Sequence, residues 1–69
     1  MIDRAELMRA AGVMFAENLD MRAGQCLMLA LRELDRDAYI LITGTAADCF
    51  YNDNRVGAFW ARLEEVEHE

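Results

Sequence analysis

The chain has 69 residues and a formal charge of −6, from thirteen acids against seven bases. Its apolar share of 55% is enough for one small core, although eleven of those residues are Ala. A chain this short makes a single domain spanning 1–69, near the lower limit at which a core alone holds a fold. Every base is Arg, and Ser, Lys and Pro are absent, which removes the commonest hydroxyl nucleophile and any Schiff-base amine.

The acidic balance also disfavours nucleic acid and anionic membrane surfaces, because affinity for phosphate comes mainly from Lys and Arg displacing counterions. Asp3 and Glu6 interrupt what a signal peptide would need as a basic and then apolar stretch. No run approaches the roughly 18 apolar residues of a membrane span. With two cysteines and no disulfide framework, the expected setting is a soluble protein in a reducing cytoplasm.

In chain order, Asp3 and Glu6 have capping-box spacing. Leu7, Ala11, Met14 and Phe15 follow at helical spacing, with Met8 and Leu19 widening the stripe. A first helix over about 3–17 is predicted. Asn18-Leu19-Asp20 breaks it, and Asp20 is the expected N-cap of a second helix carrying Met21, Leu27, Met28, Leu31 and Leu34. Gly24 in its first turn weakens the helix, which points to close approach by another backbone or a bulky ring.

Asp35-Arg36-Asp37 is read as the end of the second helix. The β-branched and aromatic run Tyr39-Ile40-Leu41-Ile42-Thr43 predicts a short strand ending at Gly44. Thr45–Asp48 would form the turn and Cys49-Phe50-Tyr51 a second strand. The alternative is that 38–47 prolong the second helix or stay irregular. Asn52-Asp53-Asn54 then caps a third helix with Val56, Phe59, Trp60, Leu63 and Val66 on one face. Glu64, Glu65, Glu67 and Glu69 carry the wrong sign for a helix C-terminus, so its last residues should fray. The expected fold is mostly α, a small α+β domain of three helices with a β-hairpin between helices 2 and 3; the alternative is all-α.

The segment Asp20-Met21-Arg22-Ala23-Gly24-Gln25-Cys26-Leu27, with Asp48-Cys49-Phe50-Tyr51-Asn52-Asp53, resembles a group of short uncharacterised bacterial and phage proteins. Their pattern is an Asp-x-Arg-x-Gly-Gln-Leu-Leu helix start and a Phe-Tyr segment with an acidic cap before the last helix. Cys26 stands where that pattern has Leu, and 39–47 look like an insertion. The resemblance implies three helices and a prokaryotic or phage origin, and it implies no activity.

Chemistry-bearing residues are sparse. His68 is the only histidine, so no set of three or four converging ligands is expected for a metal. Cys26 and Cys49 lie in apolar surroundings with no internal His as base, which favours packing over nucleophilic work. Asp35 with Asp37, or Asp48 with Asp53, are better read as caps than as a catalytic pair. The four glycines are isolated, so no phosphate loop is present. Arg32 and Arg36 sit among Glu33, Asp35 and Asp37, where local pairing is the expected fate.

Partner surfaces remain. The sequence points to Tyr39, Ile40, Leu41 and Ile42 on a two-sided apolar strand, with Tyr51 and with Trp60 beside Phe59. The expected function is a non-enzymatic protein-interaction module without cofactors. Its expected form is a homodimer, and its origin a phage or other mobile element whose product modulates a host protein. The alternatives are a small structural or assembly subunit and an acidic DNA mimic.

Overall fold

A computed structural model describes residues 2–67. Four α-helices follow one another: α1 Arg4–Glu17, α2 Ala23–Leu34, α3 Arg36–Ile42 and α4 Val56–Glu67, the last entered through a short 3₁₀ helix, Asp53–Arg55. No strand occurs among the described residues, so the expected three helices with a β-hairpin are replaced by an all-α arrangement. The Cα radius of gyration, 10.9 Å, is what a compact chain of this length should have, about 11 Å.

The hairpin fails for a physical reason. Asp35 stops α2, its N–H still donating to the Leu31 carbonyl, and its carboxylate then accepts the Ala38 N–H at 3.1 Å to start α3. One residue is therefore both C-cap and N-cap, and the chain turns without leaving helical structure. Ala38 and Ile42, one turn apart, face the core, while Ile40 and Leu41 point outward. A two-stranded ribbon would have had no neighbouring strand to extend it, whereas the short helix α3 buries Ile42 completely. Nor do 38–47 prolong α2, because Asp35 separates the two helices. Gly44, with φ of 78°, ends α3 in the left-handed conformation that side chains disfavour.

The first helix begins within a residue of expectation: the Asp3 carboxylate accepts the Ala5 N–H at 2.9 Å. Its packing differs. Leu7 and Ala11 are buried and Met14 half-buried, but Met8, Phe15 and Leu19 are 55%, 45% and 84% exposed. The stripe read as one broad core face is two stripes, and only one is covered. In α4, Phe59 and Leu63 are buried, with Val56, Trp60 and Val66 packed at the margin. This helix runs through Glu67 in the described residues; the remaining fraying expectation and His68 lie outside them.

The core gathers Leu7, Met28, Leu31, Ile42, Phe59 and Leu63 with both cysteines. Phe59, Leu7, Met28 and Leu31 are its largest fully buried side chains. Helix α2 lies at its centre, touching α1, α3 and the 3₁₀ helix, and α3 packs in turn on α4. No described helix is long and apolar enough to cross a membrane.

Candidate functional site

Two places in the molecule gather unusual residues: the start of α2 and a groove between α1 and α4. At the first, the loop 43–52 closes onto the helix. The helix is not capped by Asp20, as the sequence suggested. Its N-cap is Arg22, whose side chain makes no capping bond, and the helix starts at Ala23. The acceptor comes instead from far along the chain: Asp53 Oδ1 receives the Gly24 N–H at 3.0 Å. Arg22 donates from its guanidinium to the Phe50 carbonyl at 2.8 Å. The Cys49 thiol donates to the Gly24 carbonyl at 3.4 Å.

Gly24 is required here by backbone contact. A Cβ at this position would overlap the Cys49 carbonyl oxygen. The close approach expected from the sequence thus has a named partner, and the segments 20–27 and 48–53 meet at this junction. The loop that delivers Cys49 is itself held by Asp48, whose carboxylate accepts the Gly44 N–H at 2.8 Å and the Phe50 N–H at 3.0 Å.

This junction holds acids and thiols but leaves them committed. Of the two suggested carboxylate pairs, Asp35, Asp48 and Asp53 each accept a backbone N–H as a cap or turn former, and Asp37 is exposed in the first turn of α3. Burial, aided by the nearby charges of Asp48 and Asp53, pushes the Cys49 thiol up to about 11. Burial and Asp53 raise Cys26 as well. Both thiols are free, buried and protonated at neutral pH, the opposite of what a nucleophile or metal ligand needs. Among the described residues no group of three or more His, Cys, Asp or Glu is placed to hold a metal ion. Arg32 lies 4.0 Å from Glu33, in an exposed pair.

The second place is different in chemistry. Helices α1 and α4 leave an open hollow of about 300 Å³ between them, floored by α2. Met8, Gly12 and Phe15 form one wall, Val56 and Trp60 the other, and Ala23, Cys26 and Leu27 the floor. None of these side chains is charged. Trp60 is held upright at the groove by Phe59, edge-on at 5.1 Å between centroids, and by the Arg4 guanidinium 4.3 Å from its ring centre. Arg4 and Trp60 continue into a second hollow with Glu64 and Glu67, while Phe15 shares the first with Val56. Helices α1 and α4 therefore run antiparallel along the groove.

Compared with known proteins, the chain matches no protein-family model, no curated protein and no solved structure.

The six residues singled out as a partner surface are not brought together. Ile42 is in the core and Tyr39 half-buried, whereas Ile40 is 57% and Leu41 47% exposed on the outer side of α3. Tyr51 is 83% exposed on the loop, edge-on to Phe50. Only Trp60 lies on the groove. Sequence reasoning missed Met8, Gly12 and Phe15, although the signal was present. Met8, Gly12, Phe15 and Leu19 repeat at i, i+4, i+7 and i+11, a second helical stripe beside Leu7, Ala11 and Met14.

Proposed function

We propose that this chain is a non-enzymatic protein-interaction module that holds an apolar protein segment in the groove between α1 and α4. One observation carries the reading: an open hollow lined wholly by uncharged groups, with Met8 and Phe15 largely exposed at its edge. Soluble proteins rarely leave such surface contiguous unless something covers it. The chemistry of the polar groups supports the same reading, since carboxylates engaged as caps and thiols held protonated have little to offer a substrate. Trp60, fixed by Phe59 and Arg4, is a rigid aromatic of the kind that dominates binding energy.

A second reading, a small assembly subunit with more than one neighbour, is favoured by the separate apolar surface on α3, where Ile40 and Leu41 are exposed. The two readings part on which surface matters.

Phe15→Glu tests the groove. The residue is 45% exposed, so the variant should keep its helical circular dichroism and unfold within about 0.5 kcal/mol of the parent. Quantitative affinity purification should then show its protein partners lost. A folded Phe15→Glu variant that keeps every partner, while Leu41→Glu loses them, would transfer the function to α3.

A further inference from the structure

We infer that the segment held in the groove is a basic amphipathic helix of a partner protein, with apolar side chains against Met8, Phe15 and Trp60 and a Lys or Arg reaching Glu64 and Glu67. This rests on the reading of the groove as a protein-binding surface and specifies the chemistry of its partner. Three observations carry it.

The first is that the groove continues beyond its apolar lining. On α4, Val56, Trp60, Glu64 and Glu67 recur at i, i+4, i+8 and i+11, along one side of the helix. Val56 and Trp60 line the apolar hollow, while Trp60, Glu64 and Glu67 line the next, of about 200 Å³. The opposite wall changes at the same level, from Phe15, Gly12 and Met8 to Arg4. A segment lying along the groove therefore meets apolar surface first. It meets the carboxylate side of α4 one helical turn, about 6 Å, further on.

The second observation is that these two acids lack partners within the chain. Glu64 is exposed, and neither Glu64 nor Glu67 makes an ion pair among the described residues. Arg4 shares their hollow, but its guanidinium stands over the Trp60 ring and pairs with neither. One oxygen of Glu67, Oε1, is buried and accepts no hydrogen bond. Such an oxygen is costly to bury and calls for a donor. Because Glu67 lines the hollow, a turn of its carboxylate presents this oxygen to a donor arriving there.

The third observation is the sign of the field. Glu64 and Glu67 are three residues apart on one helix, a like-charged pair that a cation beside them relieves. They stand toward the C-terminal, negative end of α4, whose last turn has no base. The whole chain carries −6. A hydroxyl or amide would satisfy the orphan oxygen, but only a cation also answers the charge. The trough between two antiparallel helices is the shape that a third helix fills, with its anchors on successive turns. The partner helix thus carries apolar residues on two successive turns and a Lys or Arg one turn beyond.

Selection of a displayed peptide library on the full chain tests this. The library consists of amphipathic helical peptides with Leu fixed on two successive turns and the positions one turn beyond, at either end, randomised. Lys and Arg should be enriched at one of those positions. A synthetic peptide of the enriched sequence should bind the Glu64→Gln, Glu67→Gln double variant about fivefold more weakly at low salt, and the difference should shrink at high salt. Circular dichroism checks that the variant is folded. Glu64→Lys with Glu67→Lys should exchange the preference for Asp or Glu at the same position. Binders lost in Phe15→Glu but without preference for a base overturn the inference and leave the groove reading intact. So does a folded Gln double variant that holds the basic peptide as tightly as the parent. A library that yields no Phe15-dependent binder overturns both.

Discussion

Gly24 and Gly12 are both helical glycines, and they stand in opposite surroundings. At the start of α2, Gly24 is pressed against the Cys49 carbonyl, and its N–H is taken by Asp53. On the outer side of α1, Gly12 has open space where a side chain would be. The first region has used its polar groups internally: Arg22, Asp53 and the Cys49 thiol all point at backbone atoms of the opposing segment. The second is lined by uncharged side chains and leaves Met8 and Phe15 uncovered. A region that satisfies itself holds the fold; a region that leaves apolar surface unsatisfied is free to bind. Substitutions in the two should therefore separate cleanly, with the junction moving stability and the groove moving association.

The largest stability effect is expected at Gly24→Ala. Alanine would be the better helix former by about 1 kcal/mol. Its Cβ, however, meets a backbone carbonyl that cannot rotate away, and such overpacking costs about 1–3 kcal/mol or more. Collision outweighs propensity, so the variant should unfold at lower urea concentration than the parent. If it proves more stable, the junction is looser than described and the comparison fails at its first half.

Alkaline pH should weaken the junction next. Cys49 titrates near 11 in the folded chain against an ordinary 9.0. Below pH 9 its contribution is fully present; between about 9 and 11 the unfolded chain gives up the proton while the folded chain keeps it. Stability must then fall as pH rises, by at most about 1.4 kcal/mol per pH unit from this thiol. Cys26, raised in the same direction, adds to the trend. Urea titrations across that range should show a shallower decline in Cys49→Ala, and an unchanged slope would detach the thiol from the junction's stability.

A smaller difference distinguishes two aspartates. Asp53→Ala removes the acceptor for the Gly24 N–H and should cost about 1 kcal/mol, as loss of a helix cap does. Asp20→Ala should stay within about 0.5 kcal/mol, since Asp20 is exposed and caps nothing. Thermal unfolding of the pair gives the ranking directly. The reverse order would return the cap to Asp20.

That pair also shows what the sequence could and could not convey. Local rules found α1 and α4, because a cap followed by apolar residues at helical spacing involves only near neighbours. They also found that Gly24 must be approached closely. They could not say by what, since Cys49 and Asp53 lie 25 and 29 residues away and only the folded chain brings them there. The rules placed the cap at Asp20 because it was the nearest acid of the right type. The run 39–42 has strand composition, yet Asp35 starts a helix and Ile42 gains full burial within it, so context overrode preference. For α1, apolar residues surround most of the helix. Periodicity alone does not tell which of two stripes, Leu7-Ala11-Met14 or Met8-Phe15-Leu19, the other helices will cover. The groove was therefore hidden inside what read as a broad core face, and only Trp60 of the suggested surface reached it.

The account's central claim, that the α1–α4 face binds while the junction only holds, is tested most directly by carrying Phe15→Glu and Gly24→Ala through the same two measurements, urea unfolding and capture of protein partners. Phe15→Glu should unfold with the parent and lose its partners, whereas Gly24→Ala should unfold earlier and, while folded, keep them. A folded Phe15→Glu that keeps every partner, or a folded Gly24→Ala that loses them, would contradict it.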